Sequence, residues 1–333
     1  MSTPNASVEA RTPRFPAQAR WQAIGRFISG YGIVLSLIIM VVFLAFASES
    51  FLSVVNLMNI LRQVSINGIM AMGMTFVILT AGIDLSIGST LAIAGVVSGR
   101  LVIGDDPLSP ILAILAGILT GSLFGSINGA LIARLRVPPF VATLGMMSMA
   151  RGATLLYSGG RPTPELSADF LWLGQGFLLG IPVPVIVFAA VFLVSWIVLR
   201  FSVYGRWVYA VGGNPRSAKT SGINVDAVVF SVYVVMGALA GLAGPILAAR
   251  TTTALPQAGL GYELDAIAAV VIGGTSLTGG VGSVANTLIG TLIIGVMNNG
   301  LDLMGVSSYY QQIVKGAIIV LAVLIDHSRR KNP

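Results

Sequence analysis

The sequence predicts an all-α protein: a polytopic membrane helix bundle of about ten transmembrane helices, with broken helices and one short helix outside the lipid. Only 9% of its 333 residues are charged and 55% are hydrophobic, with a mean hydropathy of +0.90, whereas soluble domains carry roughly 25% charged residues. Apolar runs close to the roughly 20 residues that cross hydrocarbon recur along the chain, joined by short connections. Two of the connections are Gly-rich, as expected where a helix breaks at membrane depth.

Residues 1–26 hold Arg11, Arg14, Arg20 and Arg26 together with Pro4, Pro13 and Pro16, and lack the apolar core of a cleavable leader. They are expected to form a flexible cytoplasmic arm before a membrane domain at 27–327 and a cytoplasmic tail at 328–333. The expected spans are 28–47, 64–81, 87–103, 111–133, 139–157, 181–199, 227–249, 264–278, 283–301 and 310–325. With the first span entering from the cytoplasm, the two ends and the connections 134–138 and 200–226 hold most of the 19 basic residues. The other side carries Glu49, Asp105, Asp106, Glu165 and Asp169. The positive-inside rule therefore puts both termini in the cytoplasm of a bacterial inner membrane protein. In the outer connection 158–180, Ser167 or Asp169 is positioned to cap a short interfacial helix bearing Phe170, Leu171 and Trp172.

Composition also excludes chemistry. The chain has no cysteine, which removes disulfides, thiolate metal sites and thiol nucleophiles, and its single histidine, His327, is read as a tail residue. No metal site and no cofactor are expected. No Ser/His or paired-carboxylate arrangement supports a membrane enzyme. The basic residues are scattered through short connections, which argues against nucleic acid as a partner and leaves membrane lipid as the surroundings.

Small residues recur every four positions at Gly117, Gly121 and Gly125, a stripe that allows close helix packing rather than ligand binding. The two Gly-rich breaks, "AGIDLSIGSTLAIAGVV" and "GGTSLTGGVGSVANTLIGTL", share a pattern. Gly82, Leu85, Gly88 and Ser89 match Gly274, Leu277, Gly282 and Ser283 with two extra residues in the second copy, and whether this reflects duplication stays open. Asp84 is the single acid between Glu49 and Asp105. Either Asp84 or Ser86 is expected to accept hydrogen bonds from the first amides of the following helix, and Asp84 is also a candidate for an inner gate. Polar residues within spans, Asn67, Thr75, Asn128, Thr143, Asn286, Asn298 and Asn299, are candidates to line a solute path, with interhelical hydrogen bonding as the plainer use of each.

The longest inner connection, "RFSVYGRWVYAVGGNPRSAKTSGINVDAVV", contains a local helix signal. Asn214 suits an N-cap, Pro215 the first helical position, and Gly222 a C-terminal stop. A helix this short is marginal alone, because isolated helices below about 12 residues rarely persist in water, so it needs a surface to dock against.

Four segments carry a resemblance: "GMTFVILTAGIDLSIGS" (73–89), "NGALIARLRVPPFVATLGMMSMARG" (128–152), "YAVGGNPRSAKTSGINV" (209–225) and "AVVIGGTSLTGGVGS" (269–283). In order and spacing they resemble the permease subunits of ribose/xylose-type ATP-binding cassette sugar importers. The resemblance covers about residues 25–327. It implies a second permease subunit, an identical copy being the expectation, two cytoplasmic ATPase subunits and a periplasmic sugar-binding protein. It also implies that Gly213, Asn214, Pro215, Arg216, Ser217, Ala218, Lys219, Thr220, Ser221 and Gly222 form the coupling helix that docks on the ATPase. The chain has no G-x-x-x-x-G-K loop followed by Ser or Thr, so ATP hydrolysis is expected on a partner chain. An ion-coupled secondary transporter, or a related permease for branched-chain amino acids or nucleosides, stands as the alternative.

Overall fold

The computed structural model describes residues 17–331, with side chains described for 32–321 and for Leu324. The chain forms α1 (Ala17–Ala47), α2 (Val54–Leu79), α3 (Ile87–Arg100), α4 (Pro110–Ala133), α5 (Pro139–Ser158), α6 (Ala168–Gln175), a two-residue hairpin of β1 (Phe177–Leu178) and β2 (Ile181–Pro182), then α7 (Val183–Phe201), α8 (Val203–Gly213), α9 (Pro215–Thr220), α10 (Val225–Arg250), α11 (Tyr262–Ile272), α12 (Val284–Leu303) and α13 (Ser308–Lys331). Each of the ten expected spans falls on one of these helices. α6, α8 and α9 are additional. The bundle is all-α, as the composition predicts.

The helices differ in what they can cross. α2, α4, α7, α10 and α12 are each long and apolar enough to traverse a bilayer. By contrast, α3 has 14 residues and α11 has 11, about 21 and 16 Å at 1.5 Å per residue, so neither crosses alone. α2 starts ten residues before the apolar run does, because Ser53 accepts the Asn56 amide at 3.3 Å and the polar pair Arg62–Gln63 sits comfortably within a helix. The expected arm overlaps α1 from Ala17 onward, while residues 1–16 and the His327 side chain lie outside what is described.

α2 is the axis of the bundle, buried without interruption from Val64 to Leu79. α10 packs on it and on α3 and α4. The α4–α10 seam is built from the predicted glycine stripe: a Cβ on Gly121 would fall on the Gly237 carbonyl, and one on Gly117 would lie 2.9 Å from the Gly241 carbonyl. Backbones this close gain dispersion contacts that no side chain could provide, which drives helix association where lipid removes the hydrophobic force.

The residues between α10 and α11 depart from the expected external loop. Ala254 lies against Gly99 near one end of α3, and Gly259 meets the backbone of Gly88 at the other. Gly88 and Gly99 are eleven residues, about 16 Å, apart on α3, so 254–259, although folded into turns, runs back along α3 into the bundle. The level is fixed by α10: Gly95 packs on Gly244, six residues before Arg250, and Gly88 is seven residues further down α3. Gly259 therefore lies about 20 Å below the end of α10, near the middle of the bundle.

The seam yields a stability test. Gly121→Ala should lower the thermal unfolding midpoint by several degrees, about 1–3 kcal/mol of overpacking, whereas Gly316→Ala, at a position with open space around it, should be neutral or slightly stabilising by helix propensity, within about 1 kcal/mol. Thermal melts of the two purified variants decide it.

Candidate functional site

Inside hydrocarbon a helix can stop only where its freed backbone groups find partners. The break between α2 and α3, residues 80–86, finds them on three helices. Ser86 donates its amide (2.9 Å) and its hydroxyl (2.6 Å) to Asp84 Oδ1, and Asn128 Nδ2 of α4 donates to the same hydroxyl at 2.9 Å. The Ile83 carbonyl accepts from Thr143 of α5 at 3.4 Å and from the Tyr233 hydroxyl of α10 at 3.3 Å. Asp84 and Ser86 are both buried.

This differs from the expected cap. Ser86 occupies the N-cap position of α3 without a side-chain cap bond, and Asp84 bonds to Ser86 itself, two residues on. The local geometry is an Asx turn, to which Asp is suited because its short carboxylate reaches its own downstream amide. The turn replaces the helix hydrogen bonds that the break removes.

The second break, 273–283, is tied internally by the Ser276 amide on the Val281 carbonyl at 2.9 Å. The two breaks also meet: the Gly280 amide donates to the Leu79 carbonyl at 2.9 Å, and Thr75 and Thr287 share a hydroxyl bond of 3.1 Å just above. Against that junction lies Gly212, buried at the end of α8. A Cβ there would fall on the Leu79 carbonyl and 2.6 Å from the Gly280 nitrogen. Gly279 and Gly280 adopt φ of +83° and +74°, which only glycine enters without strain.

α9 follows immediately. Asn214 Oδ1 accepts the Ser217 amide at 3.0 Å, Pro215 opens the helix and Gly222 ends it with φ +83°. Ala218 alone is buried against the bundle; Gly213, Asn214, Pro215, Arg216, Ser217, Lys219, Thr220, Ser221 and Gly222 are exposed. The short helix therefore has its docking surface, and presents the rest of itself outward. α8 was missed by the sequence reading, although Ser202 caps it through the Gly205 amide at 3.0 Å and Gly205, Val208, Val211 and Gly212 form one buried face. A cavity of about 400 Å³ opens between α9 and the first break, bordered by Ala81, Arg136, Arg216, Lys219 and Tyr233. Ala81 and Arg136 both have left-handed backbones, φ +60° and +56°.

The remaining candidates divide by contact. Thr75, Asn128 and Thr143 serve the breaks, as above. Asn299 exchanges amide bonds with Asn56 at 2.8 and 3.0 Å, and Asn298 donates to Asp265 at 3.4 Å. Asn67 is buried with its Oδ1 unpartnered, and Asn286 is exposed near the α9 end of α12.

The charges inside the bundle went unrecognised in the sequence. Asp265, at the start of the expected span 264–278, is 3% exposed and pairs with Lys315 of α13 at 2.8 Å. Lys315 is seven residues, about 10 Å, inside the end of α13. Arg151 of α5 donates to the Pro256 and Ala258 carbonyls at 2.6 and 3.0 Å. The signal was available, since Arg151 and Lys315 are isolated cations within apolar runs, and such residues need partners.

The family described as "Branched-chain amino acid transport system / permease component" matches residues 56–323. The chain belongs to this family. The ribose import permease protein of Bacillus subtilis is 52% identical to this permease over 301 residues, 90% of this chain and 92% of the relative. The ribose import permease protein of Escherichia coli K12 is 47% identical, covering 89% and 93%, and the D-allose transport system permease protein of the same strain is 41% identical over 87% and 88%. No solved structure matches the permease. It is a multi-pass membrane protein of a transport system.

The buried ion pair gives the permease a measurable signature. Lys315→Met alone strands the Asp265 carboxylate and should destabilise by about 3–5 kcal/mol, whereas the Asp265→Leu/Lys315→Met double variant should melt close to wild type. Thermal unfolding of the three proteins in detergent tests this, and equal melting of single and double variants would show that the pair is not coupled.

Proposed function

We propose that this permease forms the membrane path of a binding-protein-dependent ATP-binding cassette importer for a monosaccharide, with a ribose-like sugar as cargo. The ribose import and D-allose transport permeases among its relatives support the sugar assignment, because each matches along nearly its whole length. The observation that carries the mechanism is the contact of Gly212 with both Leu79 and Gly280, since it joins the exposed helix α9, two residues further along the chain, to the junction of the two helix breaks.

In this reading α9 is the coupling helix and faces the cytoplasm, as do both termini. Residues Gly213 to Gly222 seat on an ATPase subunit, with Arg216 and Lys219 meeting acidic groups there. Two such subunits hydrolyse ATP, a periplasmic sugar-binding protein delivers the cargo, and a second copy of the permease completes the path. Movement of α9 displaces Gly212 against the Leu79–Gly280 bond, so that both breaks shift together. Asp84 holds the first break through Ser86 and acts at the inner gate. An ion-coupled carrier would need an intramembrane acid free to exchange its ion, whereas Asp265 is neutralised by Lys315 and Asp84 is engaged by the amide and hydroxyl of Ser86.

The test is reconstitution of the permease with its ATPase and binding protein. D-ribose uptake should require ATP, and the Arg216→Glu/Lys219→Glu variant should lose at least about tenfold of it, the cost of placing like charges at a complementary interface, with unchanged thermal stability. Uptake that persists without the ATPase refutes the importer reading. ATP hydrolysis that stays flat across pentoses and hexoses refutes the sugar.

A further inference from the structure

Residues 255–260 form turns between α10 and α11, in which the Ala258 amide bonds the Leu255 carbonyl at 3.0 Å and the Gly259 carbonyl accepts from Tyr262 at 3.2 Å, but in which part of the backbone at depth is left without protein partners among the described residues. The Thr163–Ala254 bridge pairs the start of the segment with two bonds of 2.9 Å, and Arg151 satisfies the Pro256 and Ala258 carbonyls. The amide and carbonyl of Gln257 and the amide of Leu260 find no such bond. Both side chains are exposed, Leu260 by 67%. The level of this segment, between Gly99 and Gly88 of α3, is that of the bilayer interior.

Lipid cannot be what covers it. Hydrocarbon would leave those peptide groups and the Gln257 amide unsatisfied at several kcal/mol each, and non-helical backbone at membrane depth occurs where it is buried in protein or lines a water-filled cavity. Solvent exposure in the chain excludes the first for a single copy. The adjoining surface of α5 exposes Leu144 and Met149 but also carries small and polar positions. Ser148 is exposed and lies one turn from Arg151, whose guanidinium holds the segment. Gly145 and Gly152 flank it with nothing within 4 Å of where a Cβ would stand. Exposed faces of α4, in contrast, show what this protein offers to lipid: Ile111, Leu115, Leu119 and Leu123, without a break in the helix.

We propose that the 255–260 segment and the Ser148 face of α5 form a wetted wall of the solute path, with Gln257 and Ser148 as its polar contacts for a polyhydroxy solute. The wall is held in place by Arg151, a positioning residue, and rests on the transport function proposed above. One amide and one hydroxyl on an otherwise small and aliphatic surface suit a path that must let its cargo go, because dense hydrogen bonding would trap it. The assignment moves the path away from Thr75, Thr143 and Asn299, whose polar atoms are already engaged within the bundle.

The absence of cysteine makes the test direct, since the unmodified chain is a blank for thiol chemistry. Single variants Gln257→Cys, Leu260→Cys, Ser148→Cys and Leu119→Cys are reconstituted with the partner subunits in lipid nanodiscs. They are treated with a charged methanethiosulfonate, and modification of the permease is followed by mass spectrometry. Thiolate forms only in water, so positions 257, 260 and 148 should react at least about ten times faster than position 119. In proteoliposomes, a bulky adduct at 257 should abolish D-ribose uptake while the same treatment spares Leu119→Cys. Reaction at 257 and 260 as slow as at 119 overturns the wetted wall, and rapid modification that leaves uptake intact overturns its place on the path. Labelling is read before any transport assay. Loss of uptake in the untreated wild type would thus refute the importer reading without touching the wall, and three independent positions guard against one variant failing to fold.

Discussion

A peptide group that leaves a helix inside hydrocarbon must be paired by the protein or by water, and this requirement organises the whole permease. Three interruptions occur at depth. The first is paired by Asp84, Asn128, Thr143 and Tyr233, drawn from its own turn and from α4, α5 and α10. The second is paired within itself and, through Gly280, with the end of α2. The third, between α10 and α11, is only partly paired, by Arg151 and the Ala254 bridge. Two closed breaks and one open one are different devices. A closed break has its hydrogen bonds shielded from lipid and would serve the proposed mechanism as a hinge, while an open one needs water beside it.

Glycine makes this arrangement possible by letting backbones touch. The α4–α10 seam fixes the rigid half of the bundle, and the contacts of Gly88 with Gly259 and of Gly212 with Leu79 and Gly280 bring loops to helices at distances that no Cβ allows. The rigid seam gives the hinges something to move against. In the proposed mechanism, force applied at α9 would reach the breaks through backbone contact rather than through flexible side chains, with little of the displacement lost to rotamer changes. The charged pair Asp265–Lys315 attaches the short helix α11 to α13.

Much of this was legible in the residues. The ten spans follow from apolar run length, α9 from the Asn214–Pro215–Gly222 punctuation, and the close seam from Gly117, Gly121 and Gly125. The hidden part is tertiary. Nothing local in "TTTALPQAGLG" says that it turns back into the bundle, because a polar, Pro- and Gly-bearing stretch looks the same in an external loop. Asp265 looked peripheral for that reason, its partner Lys315 being 50 residues away. Ser86 and Asp84 were singled out correctly, yet whether the carboxylate would reach the third amide of α3 or the second residue of its own turn depends on the angle between α2 and α3, which Asn128, Thr143 and Tyr233 set.

The central claim is that the first two breaks are sealed by protein hydrogen bonds while the third is open to water. Hydrogen–deuterium exchange of the permease in nanodiscs, resolved to peptides, measures this directly. Slow exchange at Ser86 and Gly280 together with fast exchange at Gln257 and Leu260 is the predicted pattern. Protection at Gln257 equal to that at Gly280, or rapid exchange at both closed breaks, contradicts the account.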